Sequence, residues 1–405
     1  MFKGSCEAAV GEIEVENMKK IGIVTTTRAD YGILKPLIVK LMAVPSLEVC
    51  LLVTGTHLES EYGETINEIV EDGLPIHFTC PILDSQNDAL GISRTVANSI
   101  IGFAQHFQNE REAGKPYDMM ILLGDRTEIL GVCISCVNER IPIGHLHGGE
   151  RSEGAVDERI RHAVTKMSQY HFAAAREYGK RIIQMGEQPE RVFVVGALGI
   201  ENVKKEKLIP EVEIKRFLGI PEKREYVIVT FHPETLLNED IAHQVDGLIS
   251  FITQHVELDF VITRANADQG GKQLNLLWEK LAEKEEHIHL FSSLGMRRYL
   301  SAVKYAKFVM GNSSSGIIEA PALGCRVLDI GDRQKGRLCS ARVLHTTTTL
   351  QSIEEGYRQI CENQIPEDDQ PFGDGATSDR IVNQIKNILW GEQQTTEKNF
   401  YDIDF

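Results

Sequence analysis

Ionisable side chains gather in short stretches that each follow an apolar run. Gly144-His145-Leu146-His147-Gly148-Gly149-Glu150 sets two histidines and an acid around paired glycines. Together with Asp125 of Gly124-Asp125-Arg126-Thr127-Glu128, they could bind a metal. They could equally supply general acid–base groups without one. In an extended segment His145 and His147 point to the same side, and the glycines let backbone approach a ligand closely. Gly154-Ala155-Val156-Asp157-Glu158-Arg159-Ile160-Arg161-His162 adds another acid and another guanidinium. Asp157 and Arg161 fit a helix cap with an i,i+4 pair, or a place on the rim of a cleft.

A second group of motifs suits an anion. Gly311-Asn312-Ser313-Ser314-Ser315-Gly316 runs straight into a helical pattern, with Glu319 one turn further on. Small hydroxyl residues at a helix N-terminus make an anion cradle from backbone N–H groups and the helix dipole. Ile317 and Ile318 stand where an ATP-binding loop needs Lys and Ser or Thr, so the stretch is not such a loop. Gly331-Asp332-Arg333-Gln334-Lys335-Gly336-Arg337 is a basic, glycine-bounded loop. His232-Pro233-Glu234-Thr235 and Arg264-Ala265-Asn266-Ala267-Asp268 end two further apolar runs. Thr25-Thr26-Thr27-Arg28-Ala29-Asp30-Tyr31-Gly32 ends the first run, and Arg28 could clamp phosphate bidentately. That first turn lacks G-x-G-x-x-G, which argues against a dinucleotide. The motifs combine into a diphosphate site in the second half, with acid–base groups from the first.

The elements that must position these residues alternate along the chain. Short apolar strands are expected at Ile21–Thr25, Leu47–Val53, Ile76–Pro81, Met119–Leu123, Ile141–Leu146, Tyr170–Ala174 and Val192–Val195. After a charged, helix-rich connector over 199–223, strands resume at Tyr226–Phe231, Phe260–Thr263, Ile288–Phe291, Phe308–Met310 and Val327–Ile330, the last apolar strand. Helical patterns separate them, including one over Ser315–Leu323 and a terminal one over Asp379–Trp390. Such alternation predicts parallel sheets covered on both faces. Ligands then bind outside the carboxyl ends of the strands, where the ionisable motifs lie. The expected fold is α/β, with two Rossmann-like domains facing across a cleft. The expected division is a leader over 1–17, a first domain over 18–200 with the catalytic acids, a second over 201–375, and a terminal helix over 376–405.

Composition bounds the function. Among 405 residues, 43 Lys and Arg face 59 Asp and Glu, a net charge of −16. This argues against broad nucleic-acid or anionic-membrane binding, though local arginines can still hold a small anion. No apolar run is long enough to span a bilayer. Cysteines sit mostly in apolar runs and fit a reduced, cytoplasmic setting. Cys133 and Cys136 read as a buried helical pair rather than zinc or redox chemistry.

These motifs, in this order, resemble the hydrolysing UDP-N-acetylglucosamine 2-epimerases of bacterial sialic-acid pathways. The carriers are TTTRADYG (25–32), LLGDRTE (122–128), GHLHGGE (144–150), DERIRHAVTKMS (157–168), TFHPETL (230–236), GNSSSGIIEAP (311–321), IGDRQKGR (330–337) and NFYDI (399–403). The resemblance implies a glycosyltransferase-B architecture, with the C-terminal helix crossing back onto the first domain. It implies conversion of UDP-N-acetylglucosamine and water to UDP and N-acetylmannosamine through a 2-acetamidoglucal. It implies no cofactor, no metal and a homodimer.

Residue by residue, the resemblance assigns catalysis to Asp125 and Asp157; many members carry Glu where this chain has His147, so here His147 or Glu150 serves in its place, or Asp125 and Asp157 suffice. It places Arg28, Arg126, His232, Asn266, Ser313, Ser314, Glu319 and Arg333 against the substrate, the serines on phosphate and Glu319 on the ribose hydroxyls. His145 and Arg161 join the substrate-binding set from their motifs. The same reaction on UDP-2,4-diacetamido-2,4,6-trideoxyglucose, as in legionaminic-acid pathways, is the neighbouring possibility. A metal-dependent hydrolase and a non-catalytic UDP-sugar sensor are the readings from other classes.

Overall fold

The computed structural model describes residues 18–86, 88–234, 236, 239–265, 269–362, 370–391 and 397–403. Residues 1–17, expected to be a leader, lie outside the described residues.

The first domain runs β1 (Lys19–Thr25), α1 (Arg28–Met42), β2 (Leu47–Thr54), α2 (Ile66–Glu71), β3 (Ile76–Cys80), α3 (Ala89–Glu112), β4 (Met119–Leu123), α4 (Thr127–Asn138), β5 (Ile143–Leu146), α5 (Asp157–Met167), β6 (Tyr170–Ala173), α6 (Arg176–Gln184) and β7 (Val192–Val194). Its strands form one parallel sheet in the order β3-β2-β1-β4-β5-β6-β7. The central strands are apolar and buried on both faces, as a sheet covered by helices requires. Chain order reverses between β1 and β4, which pair through Ile21 and Met119. Such a switch point leaves a crevice at the strands' carboxyl ends, and Arg28 and Asp125 follow those two ends.

Helices α7 (Leu198–Lys205) and α8 (Glu211–Leu218) occupy the charged connector. The second domain continues with β8 (Tyr226–Thr230), α9 (Ile241–Gln254), β9 (Asp259–Thr263), α10 (Gly271–Ala282), β10 (Ile288–Phe291), α11 (Met296–Tyr305), β11 (Phe308–Gly311), α12 (Ser314–Ile317), α13 (Glu319–Ala322), β12 (Val327–Ile330), β13 (Val343–Thr346) and α14 (Leu350–Glu362). The sheet order is β10-β9-β8-β11-β12-β13, again parallel. Its switch point lies between β8 and β11, whose ends carry His232 and Ser313. The two crevices face one another.

The last helix, α15 (Thr377–Trp390), crosses back to the first domain. Ile381, Ile385, Ile388 and Leu389 enter the core formed by Leu34, Leu37, Ile38 and Leu41 of α1. Beyond it, Lys398 Nζ donates to the carbonyls of Lys166 and Ser168 at 2.6 Å, capping the end of α5. Cys133 and Cys136 are buried inside α4, as the apolar surroundings of the pair predicted.

Two elements differ from expectation. Strand β13 and helix α14 follow Val327–Ile330, which is therefore not the last strand. Only Val343 of β13 is fully buried, so this edge strand lacks a continuous apolar signal. The helix expected over Ser315–Leu323 is two short turns broken at Ile318. Pro321 has no N–H to give to the carbonyl one turn back, so the helix cannot run through.

Candidate active site

A cavity of about 600 Å³ lies between the two domains. From the first domain Arg28, Asp125, Arg126, His147, Glu150 and Arg161 line it, and from the second His232, Ser313, Ser314, Glu319, Arg333 and Arg337.

The first-domain wall is built on the ends of β4 and β5. Asp125 follows a left-handed Gly124 and pairs with Arg161 of α5. Arg161 is only 2% exposed and also donates to the Glu150 carbonyl at 3.2 Å and to Ser152 Oγ at 3.0 Å. Burial and the nearby Arg337 press its pKa well down, and the Asp125 carboxylate compensates the buried charge. Arg161 therefore sits in the wall, paired with Asp125; it is neither on the rim nor the i,i+4 partner of Asp157.

His145 and His147 do not point to the same side. His147 has φ +63°, a left-handed conformation costly for a residue with a Cβ. The expectation assumed an extended backbone, and the strand ends at Leu146. His145 is fully buried, with Nε2 2.7 Å from the Gly124 carbonyl and Nδ1 3.2 Å from Thr165 Oγ1. Burial pushes it down to about 3, so it stays neutral and braces the turn ahead of Asp125. Both its nitrogens are engaged within the fold, which leaves none for a ligand.

His147 is among the residues that line the cavity. Its Nδ1 lies 2.7 Å from Glu150 Oε1, and its Nε2 has no hydrogen-bond partner among the described residues. Glu150 is buried, and its other oxygen accepts from Arg337 of the second domain. Burial alone would raise this carboxyl, but Arg337 and His147 outweigh it and hold it at about 2.

The second-domain wall hangs on Asn312, which is fully buried. Its Oδ1 accepts from the His232 N–H at 2.7 Å and its Nδ2 donates to the His232 carbonyl at 2.8 Å. Its own carbonyl accepts from Arg333 Nη1 at 3.1 Å and from Gln334 Nε2 at 2.7 Å. Asn312, through its side-chain amide and its backbone carbonyl, thus ties together the ends of β8, β11 and β12. Ser313 caps α12, and Ser315 Oγ lies 2.5 Å from Tyr299 OH. With α12 only one turn long, the anion cradle consists of local N–H groups, hydroxyls and guanidiniums rather than a long helix dipole.

Glu319 is buried against Gly199, where a Cβ would lie 2.1 Å from Glu319 Oε1. Burial raises its carboxyl to about 7. Arg28 pairs with Glu68, and Arg126 Nε donates to Glu128 at 2.9 Å. Asp157 pairs across the domains with Arg333 at 3.3 Å. Gly154 lets the two loops meet, since a Cβ there would lie 2.5 Å from the Asp332 carbonyl oxygen. Asn266 lies outside the described residues.

Sequence reasoning missed Asn312 and Arg337 as site residues, although both stand in the quoted motifs. Buried Glu150 needed a cationic partner, and that requirement was the available signal for Arg337. Among the described residues no three His, Cys, Asp or Glu side chains are placed to share a metal ion. Glu150 is already engaged by His147 and Arg337, and Asp125 by Arg161. The arrangement can hold an anion with several guanidiniums and present an imidazole and carboxylates to whatever lies above it.

A sequence model of UDP-N-acetylglucosamine 2-epimerase matches residues 39–386. The chain belongs to the UDP-N-acetylglucosamine 2-epimerase family. It is 35% identical to the polysialic acid biosynthesis protein P7 of Escherichia coli, over 95% of this chain and 98% of that protein. It is 32% identical to the GDP/UDP-N,N'-diacetylbacillosamine 2-epimerase (hydrolysing) of Campylobacter jejuni, over 95% and 99%. Its fold matches the S. aureus MnaA–UDP co-structure with a TM-score of 0.71 at 20% identity, over 95% of this chain and 100% of that one. Among the described residues no helix is long and apolar enough to cross a membrane.

Proposed function

We propose that this epimerase converts UDP-N-acetylglucosamine and water to UDP and N-acetylmannosamine, supplying sialic-acid biosynthesis. The observation that carries the reading is one cavity lined by His147, whose Nε2 has no hydrogen-bond partner among the described residues, together with Ser313, Ser314, Arg333 and Arg337.

The chemistry follows from the groups. The C2 proton is barely acidic, so cleavage of the C1–O bond must run ahead of its removal. Ser313, Ser314, Arg333 and neighbouring guanidiniums stabilise the departing diphosphate. Glu319 holds the ribose hydroxyls. Loss of UDP and of the C2 proton leaves a 2-acetamidoglucal. Water then adds its hydroxyl to C1 and a proton to C2 on the opposite face, which inverts that centre. His147, oriented by Glu150, and the carboxylates Asp125 and Asp157 serve the two proton transfers. Arg28, Arg126 and His232 complete the substrate contacts, and Asn266 is assigned with them. Residues 18–200 thereby supply the acids, 201–375 bind UDP, and 376–405 return to the first domain. No redox cofactor or metal is required. A homodimer fits the reading, and the free thiols of the described cysteines fit a cytoplasmic setting.

A second reading is the same hydrolysis on UDP-2,4-diacetamido-2,4,6-trideoxyglucose, favoured by the likeness to the C. jejuni relative. Product analysis by NMR in deuterated water, with each UDP-sugar supplied separately, tests both. The expected result is free UDP and N-acetylmannosamine bearing deuterium at C2, without added NAD or metal. Hydrogen retained at C2 would defeat the elimination mechanism. Turnover of the diacetamido sugar alone would select the second reading.

A further inference from the structure

Outside the cleft, at the edge of the second sheet, three side chains align. Asp329 of β12 and His345 of β13 are register partners, and Asp329 Oδ2 lies 2.7 Å from His345 Nδ1. His345 Nε2 lies 3.6 Å from Cys339 Sγ. The Asp329 side chain is 2% exposed and that of His345 45% exposed. The strand pairing fixes the first two groups, and the loop from Gly331 brings the third. Hydrogen bonds to the Asp329 carboxylate and to the Cys339 sulfur hold His345 up at about 10, so it is an imidazolium at neutral pH.

Nothing in the epimerase reaction uses this acid–imidazole–thiol row. The other described cysteines lack it. Cys50, Cys80, Cys133, Cys136 and Cys325 are buried, and Cys361 lies exposed on α14. Burial pushes the Cys50, Cys133 and Cys325 thiols up to about 12. A thiolate is the nucleophilic form, and an adjacent imidazolium is its natural counter-ion.

We propose that Cys339 is a reactive thiol that exchanges with small disulfides, and that the mixed disulfide loosens the loop bearing Arg333 and Arg337. The Cys339 sulfur attacks one sulfur of the disulfide and forms a new S–S bond. The old S–S bond breaks, and the second half leaves as a thiolate that takes a proton from solvent. The disulfide reagent is the oxidant, so no other is needed. Cys339 follows directly on a segment held by two contacts. Leu338 N–H donates to Tyr178 OH at 3.1 Å, and the Arg337 side chain, 8% exposed, is buried on Glu150. A group attached at Cys339 sits one residue from the first of these contacts and two from the second.

The test treats the full chain with dithio-bis-nitrobenzoate at neutral pH, without any sugar nucleotide, and maps each cysteine by mass spectrometry. Cys339 should be labelled at least about tenfold faster than Cys361, despite the greater exposure of the latter. His345→Asn should slow Cys339 at least about tenfold and leave Cys361 unchanged. Trypsin should cut after Lys335 and Arg337 faster in labelled protein than in untreated protein. Cys339→Ser, treated identically, should show no such increase. Faster labelling of Cys361, an unchanged rate in His345→Asn, or unchanged trypsin cleavage would overturn the proposal. None of these readouts depends on which sugar nucleotide the cleft accepts.

Discussion

His147 Nδ1 lies 2.7 Å from Glu150 Oε1, while the other oxygen of Glu150 is held by Arg337 from the opposite domain. The imidazole in the first-domain wall is therefore oriented through a carboxylate that the second domain anchors. Chemistry and domain contact share one buried residue, and separating the loops at Gly154 and Gly336 would release both together. In the proposed reaction Glu150 would orient this imidazole for proton transfer.

His147→Gln should consequently lower kcat by about 10²-fold or more, the scale of a lost acid–base group. Glutamine keeps a polar contact with Glu150, so the fold should persist. UDP affinity should be nearly unchanged, because the diphosphate cradle is on the other wall. Steady-state kinetics and calorimetry on the same preparation check the split. Unchanged kcat would transfer the role to Asp125 and Asp157.

Asp125→Asn tests a carboxylate with two duties. Catalysis should fall by roughly 10²-fold or more if it serves proton transfer. Stability should fall as well, because buried Arg161 would lose the nearer of its two carboxylate partners and keep Glu158 at 3.8 Å, so the fall should be smaller than that of a broken buried pair, about 3–5 kcal/mol. A carboxylate merely facing a cleft would cost nothing on removal. Denaturant unfolding together with turnover per folded molecule separates the two effects. Full stability with lost turnover would mean that Arg161 is satisfied by Ser152, the Glu150 carbonyl and Glu158, whose Oε2 lies 3.8 Å away.

Much of this was legible in the sequence, for a physical reason. Buried parallel strands must be continuously apolar, so Met119–Leu123 and Tyr226–Thr230 announce themselves, and ligand groups must follow their ends. Local period does not report pairing across the molecule. Arg161 is four residues from Asp157 and reads as its helical partner, yet the side chain turns inward to Asp125. The left-handed backbone at His147 carries no sequence signature, since glycines and not histidines mark such positions. Glu150 and Arg337 lie far apart along the chain, and only the fold shows that they neutralise each other. The edge strand β13 failed for the opposite reason, being too exposed to look like a strand.

Glu319 gives a pH-dependent prediction. Its carboxyl is raised by burial from the usual 4.5 to about 7 in the folded chain. Between those values the folded state holds a proton that the unfolded state has lost. Stability from this residue is thus present below about pH 4.5 and declines as pH rises through about 7. At roughly 1.4 kcal/mol per pH unit, the decline is about 3 kcal/mol. Glu319→Gln cannot ionise and should lack it, so the variant should gain on the parent between about pH 5 and pH 8. Chemical denaturation at both pH values reads the difference directly. Parallel curves for the two proteins would show that Arg337 and His147 already balance the buried charge.

Arg333 tests where the nucleotide binds. Its guanidinium, 14% exposed, is aimed into the cavity between the Asn312 carbonyl and Asp157. Arg333→Ala should weaken UDP binding by about 1.5–3 kcal/mol, the range for a hydrogen bond to a charged group. Asp157→Asn removes a carboxylate that competes with phosphate for the same guanidinium, so UDP affinity should hold or rise. The same variant should lose turnover, because its carboxylate is assigned to the sugar. Asp125→Asn should leave UDP affinity nearly unchanged, since Asp125 stands on the opposite wall with Arg161. Calorimetric titration of UDP into the three variants measures this division. If Asp125→Asn abolishes UDP binding while Arg333→Ala does not, the nucleotide occupies the first-domain crevice and the assignment of the two walls must be exchanged.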